Sequence, residues 1–249
     1  MANHFARWSL TDASVPTHRL PFQTEDHARY LPERRRLRYL ASRMLLAELI
    51  WSVYGIPQLP ALVTSDTGRP HFVDDTLPDF SIAYAGNIVG VLLAEEGGHV
   101  GLGMEIARSH NHQTLERYSR GISSGEKTWI RAQADPDEAT TQLWTLRQSV
   151  LKLTGQTPDS PALQLHPASG RLRSVKFPDI QAISDVEALI IWSCALSTMS
   201  EPLYLWEFDG GQSWKQLLNI QTHAHNMGPR SLRLTSLPLE KYCSPLKNG

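Results

Sequence analysis

Two stretches of this chain repeat apolar residues at helical spacing, each is followed by several short strand-like runs, and that order leaves few folds open. Between Glu33 and Tyr54, Leu37, Leu40, Met44 and Ala47 recur at three- and four-residue steps until Gly55-Ile56-Pro57 ends the run. Strand-like runs follow at 61–64, 80–84, 88–94 and 99–106, broken by Thr67-Gly68-Arg69-Pro70, Asn87 and Gly97-Gly98. The order then recurs. A short helix is expected at 125–132 and a long one at 137–154, whose stripe is Leu143, Leu146, Val150 and Leu153 and whose C′ residue is Gly155. Strands are expected at 162–166, 171–176, 188–196 and 203–208.

The reading is an α+β protein of two pseudo-symmetric lobes, each a helix packed on an antiparallel sheet, although no sequence repeat is detectable. The expected division is 1–106 for the first lobe, 107–208 for the second and 209–249 for an extension with a short helix at 213–220. Residues 1–30 read as an irregular lead-in with one short strand.

A formal net charge of −1 rules out a globally basic nucleic-acid binder, so any anion site must be a local cluster. Cys194 sits in an apolar run and Cys243 in a polar tail, which argues against a disulfide framework. No signal-peptide core or membrane-length apolar run is seen, so the expectation is a cytoplasmic protein with no membrane and no nucleic-acid partner. The ten histidines, including His110 with His112 and His223 with His225, lack acidic or cysteine partners at metal spacing and read as surface residues.

Four islands carry a family resemblance. They are Arg34-Arg35-Arg36-Leu37-Arg38 leading to Arg43-Met44-Leu45-Leu46; Gly68-Arg69-Pro70 followed by Phe80-Ser81-Ile82-Ala83-Tyr84-Ala85-Gly86; Val100-Gly101-Leu102-Gly103-Met104-Glu105; and Trp144-Thr145-Leu146-Arg147-Gln148-Ser149-Val150-Leu151-Lys152. No island is specific alone. In this order and spacing the chain resembles the Sfp-type 4′-phosphopantetheinyl transferases over residues 30–155. The resemblance implies the 4′-phosphopantetheinyl transferase fold, with coenzyme A as substrate, Mg²⁺ as cofactor and an acyl or peptidyl carrier protein as partner. The reaction moves phosphopantetheine from coenzyme A onto a carrier-protein serine.

By that resemblance, Arg38, Arg43, Arg69 and Tyr84 are the candidates for holding coenzyme A, Glu105 for the metal, and Gln148 and Lys152 for the catalytic positions. The departures fall on the chemistry. Tyr84 stands at a family histidine, Gly103 at an aspartate, Gln148 at a glutamate and Arg147 at a lysine. An alternating D-x-E on a strand would put two carboxylates on one face, and here only Glu105 is left. Gln148 keeps the reach of glutamate without its basicity, and a positioned base contributes about 10²–10⁴-fold.

The resemblance therefore implies transfer that is weak or specialised. The alternative is a non-catalytic descendant that binds coenzyme A or a carrier protein. On this reading, restoring Gly103→Asp with Gln148→Glu should raise transfer. For single residues both readings stay open: Glu105 as ligand or solvated carboxylate, Tyr84 as packed ring or phosphate donor, Arg69 as turn surface or anion site, and Glu126 as a substitute acid.

Overall fold

The structure, a computed structural model, describes residues 2–11, 14–94, 97–107, 110–156, 163–175, 179–197, 202–211, 213–220 and 232–235. The elements in chain order are β1 (Asn3–Ser9), α1 (Phe22–Arg29), α2 (Glu33–Tyr54), β2 (Leu62–Thr64), β3 (Pro70–Phe72), β4 (Phe80–Ala85), β5 (Ile88–Ala94) and β6 (Val100–Ile106). Then come α3 (His112–Tyr118), α4 (Ser124–Arg131), α5 (Pro136–Thr154), β7 (Leu163–His166), β8 (Arg171–Ser174), β9 (Gln181–Val186), β10 (Ile190–Leu196), β11 (Leu203–Phe208), β12 (Trp214–Ile220) and β13 (Leu232–Thr235). The protein is α+β.

A β-α-β-β unit occurs twice. In the first, β1 is followed by α2 and the hairpin β4–β5, and β1 pairs antiparallel with β5. In the second, β6 is followed by α5 and the hairpin β9–β10, and β6 pairs antiparallel with β10. The core orders are thus β1-β5-β4 and β6-β10-β9. The first sheet extends to β12-β11-β1-β5-β4 and the second to β6-β10-β9-β13-β8-β7.

Helix ends follow local chemistry. Asp135 caps α5 by accepting from Asp137 N and Glu138 N, Pro136 opens it, and Gly155 ends it at φ 65°. Gly55 ends α2 at φ 70°, the left-handed region a Cβ disfavours.

Three apolar clusters define the layers. Phe5, Leu92, Leu102, Met104, Trp192 and Cys194 belong to the cluster between the sheets. Met44, Leu45, Leu49 and Phe80 lie under α2, and Leu143, Leu146, Val150 and Leu165 lie under α5. The helices therefore cover the outer faces and the sheets meet by their inner ones. No helix among the described residues is long and apolar enough to cross a membrane.

Several expectations change. The strand Val100–Ile106, assigned to the first lobe, is an edge of the second sheet, so that sheet begins at 100 and not after 106. The strand Leu203–Phe208, assigned to the second lobe, returns to lie parallel to β1 in the first sheet, where it covers the edge β1 would otherwise leave open. Residues 214–220, expected as a helix, form β12. Lys, Gln and Leu favour a helix, but seven residues cannot sustain one alone, and pairing with β11 and the Phe208–Trp214 contact (centroids 4.8 Å apart) prevail. The lead-in contains β1, a central strand, together with α1. His4 is buried against Tyr204 and Trp206, not on the surface. Cys194 is buried and unbridged, while Cys243, His223 and His225 lie outside the described residues.

Candidate functional site

The two sheets come closest where edge strands β4 and β6 run side by side in the same direction, and side chains there take the place of a ladder. Arg69 Nη2 donates to Phe80 O (2.7 Å) and Val100 O (2.9 Å). Two residues further along both strands, Lys152 Nζ donates to Ile82 O (2.9 Å) and Leu102 O (2.8 Å). The amides of β6 are met as well: Val100 N donates to Asp79 Oδ2 (2.9 Å) and Leu102 N to Ser81 Oγ (3.0 Å).

Arg69 also contacts both oxygens of Asp79, at 2.7 and 2.8 Å, and donates through Nη1 to Lys152 O. Two cations, one carboxylate and one hydroxyl thus lie within hydrogen-bond reach of six backbone groups at the two sheet edges. Burial, then the nearby Arg69 charge, lowers the Lys152 pKa from 10.5 to about 8.

A cleft of about 400 Å³ opens over this seam. Arg43 comes to it from α2, Thr67, Gly68, Arg69 and Pro70 from the β2–β3 turn, Ser81, Ile82 and Tyr84 from β4, and Gln148, Leu151, Lys152, Gly155 and Gln156 from the end of α5. Five of the seven residues singled out from sequence therefore line one cleft: Arg43, Arg69, Tyr84, Gln148 and Lys152. Among the described residues no Asp or Glu lines it.

Among the described residues, three polar atoms of the cleft lining are buried and have no hydrogen-bond partner: Arg43 Nε, Arg69 Nε and Gln156 Oε1. Such atoms are uncommon in folded proteins and each calls for a cause, such as a group that enters the cleft. Arg43 lies 3.9 Å from the centroid of the Tyr39 ring and donates through Nη1 to Ser42 Oγ at 3.0 Å. The Tyr84 hydroxyl is 3.0 Å from the same Ser42 oxygen, on the cleft wall.

The remaining two stand apart. Arg38 donates to Gly86 O in the β4–β5 turn and is not on the cleft wall. Arg36, in the same basic run, donates to Arg29 O and Leu31 O at the end of α1. Glu105 has both oxygens engaged: Oε1 accepts from Ile106 N (2.8 Å) and Oε2 accepts from the Tyr118 hydroxyl (2.5 Å). Burial first, then the bond to Glu105 and its charge, pushes the Tyr118 pKa well up. Tyr118 in turn stacks on Trp144, with ring centroids 4.2 Å apart.

Glu126 is buried. It accepts from Ser123 N at 2.9 Å in the capping box of α4 and from Arg147 Nη2 at 2.6 Å. Tyr118, Trp144, Arg147 and Glu126 face a second, larger cleft of about 1230 Å³, and Gln148 is the wall shared with the first.

Gly103 has a packing reason. A Cβ there would lie 2.2 Å from Thr145 O, and one on Gly101 would lie 1.9 Å from Ser149 O. Both contacts are with the backbone of α5, which rests directly on β6. An aspartate at 103 cannot be accommodated without moving the helix, so Gly103→Asp displaces α5 and does not simply restore a ligand. Asp79, Ser81, Gln156 and Tyr118 were missed from sequence. Asp79 immediately precedes the second island and Gln156 follows the C′ glycine of α5, but nothing local marks Tyr118.

No protein-family model matches the sequence. The chain is 45% identical, over 98% of its own length and the whole of the relative's, to protein YieE of Escherichia coli strain K12. The same figures hold for YieE of Escherichia coli O6:H1 strain CFT073; both are described as uncharacterized.

Proposed function

The chain belongs to the YieE family, and we propose that it is a 4′-phosphopantetheinyl transferase-like protein whose seam cleft binds coenzyme A. The observation that carries this reading is the convergence of Arg43, Arg69, Tyr84, Gln148 and Lys152, drawn from distant parts of the chain, on one cleft, where both arginines also keep a buried Nε without a partner. Guanidinium groups suit phosphate oxygens because their donors are planar and always charged. The Lys152 ammonium has three N–H groups, and two go to Ile82 O and Leu102 O, leaving one for a ligand.

Transfer to a carrier-protein serine is slow in this reading. Gln148 supplies no base, and Glu126, which shares the second cleft with Gln148, is committed to Ser123 and Arg147. The same facts favour a second reading, a descendant that binds coenzyme A and a carrier protein without transferring anything. Under either, the protein acts on soluble partners.

Calorimetric titration of coenzyme A into the full chain tests the shared claim. Arg43→Ala should weaken binding by about 10- to 100-fold, the loss expected for a charged hydrogen bond of about 1.5–3 kcal/mol. Arg43 is the better probe because Arg69 also holds the seam. No binding at millimolar coenzyme A removes both readings. Transfer of labelled phosphopantetheine to several carrier proteins then separates them.

A further inference from the structure

We infer that this cleft holds phosphate groups with arginine and lysine alone, without a divalent cation; the inference rests on the proposed function. Mg²⁺ is a hard ion that proteins commonly hold through one or two carboxylates together with substrate phosphates and water. Among the described residues the cleft is lined by Arg43, Arg69 and Lys152 and by no carboxylate, so a hydrated cation entering it meets like charge. Asp79 lies nearby but has both oxygens on Arg69, and Oδ2 also accepts from Val100 N.

The corner where the resemblance puts the metal is filled by protein. The space a side chain at 103 would need belongs to the α5 backbone at Thr145. Glu105 has its oxygens on Ile106 N and the Tyr118 hydroxyl and does not line the cleft. What the cleft offers is positive charge: Arg43 and Arg69, each with a buried Nε that has no partner, and Lys152, whose third N–H is left over from its two carbonyl bonds. These can carry the negative charge of a pyrophosphate directly. Gln156 Oε1, also buried and unpartnered, suits a ligand hydroxyl or amino group that donates beside the phosphates.

The experiment titrates coenzyme A and, separately, inorganic pyrophosphate into the full chain at matched ionic strength, once with EDTA and once with millimolar Mg²⁺. The expected result is a Kd for each probe that agrees within about threefold between the two conditions, and a Kd in EDTA that Arg43→Ala raises by about tenfold or more. Mn²⁺ added with coenzyme A should keep the electron paramagnetic resonance signal of the free ion in the presence of protein. Binding at least tenfold tighter with Mg²⁺, or loss of the free Mn²⁺ signal on adding protein, overturns the inference and leaves the coenzyme A reading standing. Metal-independent binding of pyrophosphate that Arg43→Ala weakens, without binding of coenzyme A, upholds the inference and removes the coenzyme A reading. Binding of neither probe removes both. An Arg43→Ala chain that fails to fold is replaced by Gln156→Leu, which should weaken coenzyme A more than pyrophosphate; equal effects on the two overturn the role given to Gln156.

Discussion

The two β-α-β-β halves share strand order and register, yet their helices sit on their sheets in different ways. Ala6 of β1 pairs with Val91 of β5, and at the corresponding place Gly103 of β6 pairs with Ser193 of β10. The first half fills the space under α2 with side chains, among them Ala6 and Trp8. The second half gives up the Cβ atoms of Gly101 and Gly103, and the backbone of α5 comes down onto β6 in their place. This close approach brings Lys152 within reach of the carbonyls of both edge strands, and it fills the corner where a carboxylate at 103 would sit. Packing and site chemistry are therefore one trade-off in the second half, with no counterpart in the first.

The largest expected effect tests that contrast directly. Gly103→Asp should cost on the order of 3 kcal/mol or more, and Gly103→Ala about 1–3 kcal/mol, because each forces atoms into the α5 backbone. Ala6→Gly in the first half should cost only about 1 kcal/mol. Urea unfolding of the three variants measures this, and a neutral Gly103→Ala would break the comparison.

Next comes the seam. Asp79→Asn removes the charge that Arg69 faces and should destabilise by about 2–3 kcal/mol, somewhat below the cost of breaking a fully buried pair. His99→Ala, which removes a neighbour 3.6 Å from Asp79 with an exposed side chain, should change little.

A smaller effect concerns pH. Lys152 has a folded pKa near 8 against 10.5 in the unfolded chain. Below pH 8 both states are protonated and the cost of burying the charge is fully present. Between about 8 and 10.5 the unfolded chain binds more protons, so this group makes stability rise with pH. The rise should be on the order of 2 kcal/mol, and a chain carrying Lys152→Met should lack it in melting curves taken from pH 7 to 10. A wild-type curve that falls in parallel with that of the variant would contradict the assignment.

The smallest is Tyr118→Phe. Losing its bond to Glu105 should cost about 1 kcal/mol, and coenzyme A affinity should be unchanged, because Glu105 lies off the cleft.

Much of the frame was legible in the residues. The apolar stripes placed α2 and α5, and Gly55 and Gly155 marked their ends. The partition of strands between sheets was not, because β6, β11 and β12 are assigned by edges that become available only in three dimensions. Arg43, Arg69, Tyr84, Gln148 and Lys152 could be picked out by motif, and they do share a cleft. The second task of Arg69 and Lys152, closing the gap between β4 and β6, has no local signal, since it depends on carbonyls supplied by other strands. Gly103 reads in sequence as a lost carboxylate, whereas its packing against Thr145 is a distance between elements that no spacing encodes.

The most direct measurement is a crystal structure of the full chain grown with adenosine 3′,5′-bisphosphate and Mg²⁺. The expected result is phosphate oxygens within about 3.2 Å of Arg43 Nε and Arg69 Nε, with Glu105 still bonded to Tyr118 and no metal between β6 and α5. A Mg²⁺ ion coordinated by Glu105, with α5 lifted from Gly103 and the phosphates turned toward that ion, would contradict it.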